Sequence, residues 1–266
     1  MKKYEMTSNT KELKGRKLFQ IRALKDFGDV KVGDLGGYIE KEENLSHGGN
    51  AWVYDDALVY GDACVSDNAQ VRGDARVYDN AQVYDNAWIR GDARVRGDAR
   101  VYDNAQVYDN AWIRGDARVC GDARVCGDAR VYGDAWIRGD ARVCGDARVC
   151  GDARVYGDAC IYNNAWIYDN ARVYGDTIIY GDTCICDDAW ICGDSDYICF
   201  KGFGSENRNT IMFKTKNGDI YVCCGCFRGS LKEFEEKVKE THGNTKYAKE
   251  YLVCIEAAKI HFEIDD

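Results

Sequence analysis

From Gly49 to Cys192 the chain repeats a hexad with no insertion or deletion: GNAWVY, DDALVY, GDACVS, DNAQVR and onward to DDAWIC, 24 units in succession. The fifth position is Val or Ile in every unit, the third is Ala except at Thr177 and Thr183, and the second is always Asp or Asn. So short and strict a period admits few folds. Ala-x-Val-x alternates apolar with polar residues, the pattern of a short strand with one buried face, and Gly-Asp or Asp-Asn is a turn. Strand and turn in strict alternation describe a coil.

One hexad cannot hold itself together. Burying a Val or Ile contributes ~1.5–3 kcal/mol, whereas ordering six residues of backbone costs ~1–2 kcal/mol each. Stacking resolves this. When each strand pairs in parallel with its equivalents above and below, interior N–H and C=O groups find ladder partners and the aliphatic column becomes a continuous narrow core.

Composition sets the surroundings. With 45% hydrophobic and 30% charged residues and no apolar run near the ~20 needed to span a bilayer, the chain reads as globular and soluble. Its start, MKKYEM, lacks the apolar stretch of a secretory signal, so the 14 cysteines are expected as free thiols in a reducing cytoplasm. Residues 49–192 hold 24 Asp against 15 Arg and no Lys, Glu or His, an excess equal to the whole net charge of -9. That acidity argues against a grip on nucleic acid or anionic lipid. The shift in composition suggests three parts: an N-terminal cap with an irregular opening coil (1–48), the repeat (49–194) and a C-terminal α+β domain (195–266).

The hexad resembles the hexapeptide-repeat, left-handed parallel β-helix family, in which an aliphatic residue and a small residue two positions earlier point inward and three hexads make a triangular coil. The resemblance covers the whole of the repeat. It implies a mainly β fold, a triangular prism of about eight regular coils, roughly 38 Å long at ~4.8 Å per rung. The left hand comes from the family and departs from the right-handed crossover tendency. Ile39 and Leu45 stand six apart but out of phase with Val53, which predicts an opening coil with two extra residues around Ser46, His47 and Gly48. DFGDV and GDLGGYIEKEENLS before the repeat, and CGCFRGSLKEFEEKVKETHG and YAKEYLVCIE after it, look like phage and prophage hexapeptide-repeat proteins. That likeness implies a mobile-element origin, a host-cell cytoplasmic location and no catalytic residues to carry over.

With the inside given to packing, function must use positions four and six. Their Arg and Tyr rows could form a ligand or nucleic-acid platform, or simply cover the ladder. Trp88, Trp112 and Trp136 recur every fourth hexad while a triangular coil takes three, so the tryptophans fall on three faces and form no stripe, which favours plain surface. Stacked Asp could bind Ca²⁺, but Asn50, Asn68, Asn86 and Asn104 dilute one corner, and these residues read as turn formers bonding their own backbone. Cys126 and Cys144 should be vertical neighbours, close enough to bridge if oxidised.

Many members of the resembled family are acyltransferases and one branch is a zinc carbonic anhydrase; these need a His and, in the transferases, a loop interrupting a coil. The prism has neither. His47, His242 and His261 are the only histidines, and His47 is the candidate base beside the prism. The run Arg16–Leu24 reads as a strand capping the first coil. After the repeat, strands at Tyr197–Phe200, Ile211–Lys214 and Asp219–Cys224, with an Asn217-Gly218 turn, precede a helix opened by a Ser230/Glu233 capping box and a second helix from about Lys246 to Ala258. Cys223, Cys224 and Cys226 with Cys199 or Cys254 could bind Zn²⁺, but adjacent strand residues point apart, which favours structural thiols. Arg228, Lys232 and Lys214 near Gly225–Gly229 could hold an anion at the helix start.

The expectation is therefore a non-enzymatic, phage-related β-helix acting as a scaffold or interaction module, without cofactor or membrane contact, with nucleic acid disfavoured and an unidentified protein or small molecule as partner. Homo-oligomerisation, as a trimer, is expected from the family. The alternatives are a scavenger of nucleotide-type ligands in phage counter-defence, with a pocket at a prism–cap junction, and a hexapeptide acyltransferase.

Overall fold

The computed structural model describes residues 2–264 and is mainly β. Each hexad contributes a two-residue strand at positions four and five, such as Trp112–Ile113, which pairs in parallel with the rungs three hexads before and after it. Two faces of the prism are 8-stranded sheets and the third is 11-stranded, because N-terminal strands extend it. The third- and fifth-position side chains are buried along the whole repeat. Between coils the ladder is regular: Trp112 N–H donates to Ala129 O at 2.9 Å and Arg114 N–H to Val131 O at 3.0 Å. Thr177 and Thr183, which replace Ala, are buried without an orphaned hydroxyl, since each donates to the carbonyl three residues earlier at 2.8 Å.

The corners show why Gly and Asp share one position. Gly121 has φ +71°, and a Cβ there would meet Gly139 N at 2.8 Å. Asp103 takes the same corner with φ +58° and accepts the Gly121 N–H on Oδ2 at 3.0 Å. Asp55 accepts from Gly73 and Asp109 from Gly127 in the same way, at 3.0 and 3.2 Å. The expectation that these residues bond their own backbone is thereby corrected: stacking sets like corners one above another, and the carboxylates bond the next coil. Asn50, Asn68, Asn86 and Asn104 form an amide ladder along one corner, with links of 3.0, 3.2 and 3.2 Å.

At the N-terminal end, strands Tyr4–Leu13 and Arg16–Ala23 form a hairpin, and the second pairs with Leu35–Ile39. Ile39 pairs with Val59 and Leu45 with Val65, so the opening coil carries the two extra residues expected around His47. Tyr4, Trp52 and Lys3 plug its open end. Tyr4 Oη donates to Glu42 O or Leu45 O, at 2.9 and 2.8 Å, and Lys3 Nζ donates to Ala51 O at 2.7 Å. Burial, and then Lys25, lower Lys3 to about 8.

At the other end, strands Tyr197–Phe203, Arg208–Lys214, Ile220–Cys224 and Phe227–Ser230 make an antiparallel sheet in chain order. Helices α1 (Leu231–His242) and α2 (Lys246–His261) follow, and the Ser230/Glu233 capping box opens α1 as the sequence predicts. The alternation of strand side chains joins the sheet to both neighbours. Ile211, Phe213 and Cys223 continue the prism core, while Met212, Val222 and Cys224 pack with Phe234, Val238, Tyr251 and Ile255 of the helices. Among the described residues no helix is long and apolar enough to cross a membrane.

This packing has two measurable outcomes. Ile113→Ala leaves a cavity in a column that cannot collapse, so the unfolding free energy from urea titration followed by circular dichroism should fall by about 2–5 kcal/mol, and Trp112→Ala on the outer side of the same rung should cost less. Lys3 titrates near 8 in the fold against an ordinary 10.5. Between those values the unfolded chain holds more protons, so raising the pH favours the fold. The stability of the native chain relative to Lys3→Met should therefore rise from pH 8 to 10; parallel pH curves for the two proteins would remove the assignment.

Candidate functional site

On the outer faces of the prism, arginines of one coil lie against tryptophans of the next, although Trp88 and Trp166 keep part of their surface exposed. The Arg94 and Arg130 guanidiniums lie 4.9 and 5.8 Å from the Trp112 ring, and Arg118 and Arg154 lie 4.7 and 5.6 Å from Trp136. This follows from two unequal periods. Copies recur every fourth hexad and coils every third, so the Arg one hexad after a Trp falls beneath the Trp of the next copy. The tryptophans are distributed over three faces as expected, and their flat surfaces carry guanidiniums in place of bases.

All 14 cysteines are free thiols. Cys126 and Cys144 are vertical neighbours, Cys126 N–H donating to Val143 O at 3.0 Å. Hydrogen bonding from Cys144, and then from Tyr108, brings Cys126 down to about 7, while the Cys126 sulfur pushes Cys144 up. In the C-terminal sheet Cys223 and Cys224 point to opposite faces. Cys223 Sγ lies 3.1 Å from Cys186 Sγ, and Cys224 Sγ accepts from Thr210 at 3.2 Å. Cys226 is exposed, Cys199 half-buried and Cys254 buried within the helical layer. Among the described residues no group of three or more His, Cys, Asp or Glu is placed to hold a metal ion.

The other residues singled out from sequence are not brought together. His47 sits in the opening coil with its ring stacked on Tyr4 at 4.4 Å. Its Nδ1 accepts the Lys3 N–H at 3.2 Å, Nε2 is enclosed, and burial holds it below the ordinary imidazole range. The neutral ring then carries its proton on the enclosed nitrogen, so its free lone pair is already engaged. Lys214 pairs with Asp196 at 2.9 Å, Lys232 lines a cleft beside the last coil, and Arg228 donates to Tyr168 Oη at 2.9 Å. The start of α1, where an anion would sit, is closed by Glu233, which accepts the Ser230 N–H at 2.8 Å.

Two cavities stand out. A junction cleft of 740 Å³ between the last coil and the C-terminal domain is lined by Asp187, Asp188, Asp219, Glu233 and Glu235 against Lys232 and Lys259, a setting that disfavours anions. A second cleft, of 500 Å³, lies within the C-terminal domain and collects Arg208, Arg228, Lys237, His242, Tyr251 and Cys226, with Glu206 as its one carboxylate. His242 ends α1, with its ring 5.6 Å from that of Tyr251. Arg208 folds over Gly225, where a Cβ would meet its Cδ at 2.9 Å. Burial first, and then Cys224, push the Tyr251 hydroxyl up to about 12, so near neutral pH it is a donor. Sequence reasoning passed over His242, although it lies four residues beyond Val238 on the stripe that starts at Phe234.

Comparison with known proteins bears on both the coils and the chemistry. Residues 123–139, 147–163 and 165–181 match the family described as "YdcK Beta solenoid repeat". A segment of 55 residues is 44% identical to a protein of Escherichia coli (strain K12) named "Uncharacterized acetyltransferase YdcK"; it makes up 20% of this chain and 17% of that relative. The chain is a repeat-type β-helix. The expectation that it is not an enzyme is corrected by this relative, whose name is that of an acetyltransferase. The prism offers no imidazole, whereas the C-terminal cleft supplies one in His242.

Proposed function

We propose that this β-helix transfers an acyl group from a coenzyme A thioester, with the cleft around His242 as its site. The observation that carries this reading is the likeness of the coils to a protein named an acetyltransferase. The cleft holds the kinds of group the reaction needs. Acyl transfer to an amine or hydroxyl requires a base to take the acceptor's proton as its lone pair attacks the thioester carbonyl, and imidazole is suited to that near neutral pH. His242 is that base in this reading. Arg208 and Lys237 line the same cavity and would pair with the coenzyme's phosphates, while Arg228, held by Tyr168 and the Gly225 and Phe227 carbonyls, forms part of its wall. Tyr251, neutral near pH 7, would donate to the developing oxyanion or the leaving thiolate. A volume of 500 Å³ lies within the range of about 300–1,000 Å³ common for ligand clefts.

The test is chromatographic detection of free coenzyme A from acetyl-coenzyme A with a panel of amines and hydroxyl acceptors. His242→Ala should lower turnover by about 10²–10⁴-fold with the circular dichroism spectrum unchanged. Arg208→Ala should raise KM more than it lowers kcat. Turnover indifferent to His242→Ala, or cyclic nucleotides bound tightly with no turnover on any acceptor, would overturn the reading.

A further inference from the structure

The prism and the C-terminal sheet meet through sulfur. Cys186 follows the last rung of one prism face, Cys184–Ile185, and Cys223 belongs to the strand Ile220–Cys224 laid across the end of the prism. Their Sγ atoms are 3.1 Å apart and both side chains are buried. The backbones on either side are tied down, since Ala189 bridges Thr215 and Lys216 N–H donates to Asp188 O at 3.1 Å. The two sulfurs therefore face each other by virtue of the fold, not of a loose rotamer. Their surroundings are unequal. Cys186 also lies 3.2 Å from Asp187 Oδ2, and the Cys223 sulfur together with burial keeps its thiol protonated. Arg228 stands directly across the strand pair from Cys223. Either thiol can donate to the other, but Cys186 also directs its S–H at the Asp187 carboxylate, whereas Cys223 has Arg228 as its cross-strand neighbour and is the sulfur better placed to carry negative charge.

The geometry points to Cys186 and Cys223 as an oxidative modification site, a reversible disulfide that fastens the C-terminal domain to the prism, with hydrogen peroxide as the oxidant. Both sulfurs are enclosed in the closed seam, so the step takes place when the sheet locally parts from the last coil: the Cys223 sulfur then gives its proton to solvent and attacks one peroxide oxygen. The O–O bond breaks, the departing hydroxide is protonated to water, and Cys223 becomes a sulfenic acid. The Cys186 sulfur then attacks the Cys223 sulfur, the S–S bond forms, and hydroxide leaves with the Cys186 proton as a second water. The two thiols give up two electrons and one peroxide takes them. The cross-link joins positions 37 apart in the chain, enough to restrict the unfolded state and raise the melting temperature.

Peroxide treatment of the full-length protein, alkylation of the remaining thiols and peptide sequencing by mass spectrometry test the assignment. The expected result is a peptide pair joined at Cys186 and Cys223, lost on reduction with dithiothreitol, and a rise in Tm of roughly 5–10 °C that dithiothreitol reverses. Cys186→Ser and Cys223→Ser should each abolish both signs, and Cys226→Ser neither. Should either variant fail to fold, the peptide map of the native sequence decides alone. Oxidation of the exposed Cys192 and Cys226 with Cys186 and Cys223 recovered as alkylated thiols would overturn it, as would their recovery joined to other cysteines.

Discussion

The parallel backbone ladder, renewed at every third hexad, is the constraint on which everything else here depends. A two-residue strand has almost no stability by itself, so each rung persists only because the rungs above and below hold its N–H and C=O groups and because its Val or Ile adds to an unbroken column. Such a structure has two weak points, its ends. Both are closed by elements that borrow the ladder or the core: the Leu35–Ile39 strand continues one sheet, and Ile211, Phe213 and Cys223 continue the aliphatic column. The buried Lys3, bonded to the Ala51 carbonyl, shows how far polar groups are drawn in to close the first coil.

The same constraint places the chemistry. Positions three and five are filled, and the outer positions are engaged in arginine–aromatic stacks, carboxylate-to-backbone bonds and amide ladders. A side chain in the shaft has little freedom to meet a substrate. In the C-terminal domain, four strands and two helices of ordinary length leave a cleft where Arg208 from a strand, His242 from the end of α1 and Tyr251 from α2 line one cavity.

The prism was legible in the sequence because its determinants are local and repeated. The alternation of Ala and Val, the constant spacing and the phase slip near His47 each concern residues within one or two coils. The capping box at Ser230 was legible for the same reason. Other features needed contacts that no short window contains. The strand Tyr4–Leu13 went unread because its Thr, Ser, Asn and Lys side chains hide the alternation, and Phe227–Ser230 because glycine interrupts it. The carboxylates turned out to bond the neighbouring coil, a partner one full winding away. Arg228, Lys232 and Lys214 are close in sequence yet lead to three different surroundings, whereas the cleft joins residues with no shared motif or spacing to group them.

The mismatch between the copied unit and the coil also bears on the geometry of the whole molecule. A copy of four hexads is one full winding plus one side, so each added copy lengthens the shaft and swings the distal head by a third of a revolution about the long axis relative to the hairpin at the base. Three copies restore the original heading. Chains built from this unit would therefore come in only three azimuths, and the number of copies sets which way the cleft looks as well as how far out it is carried.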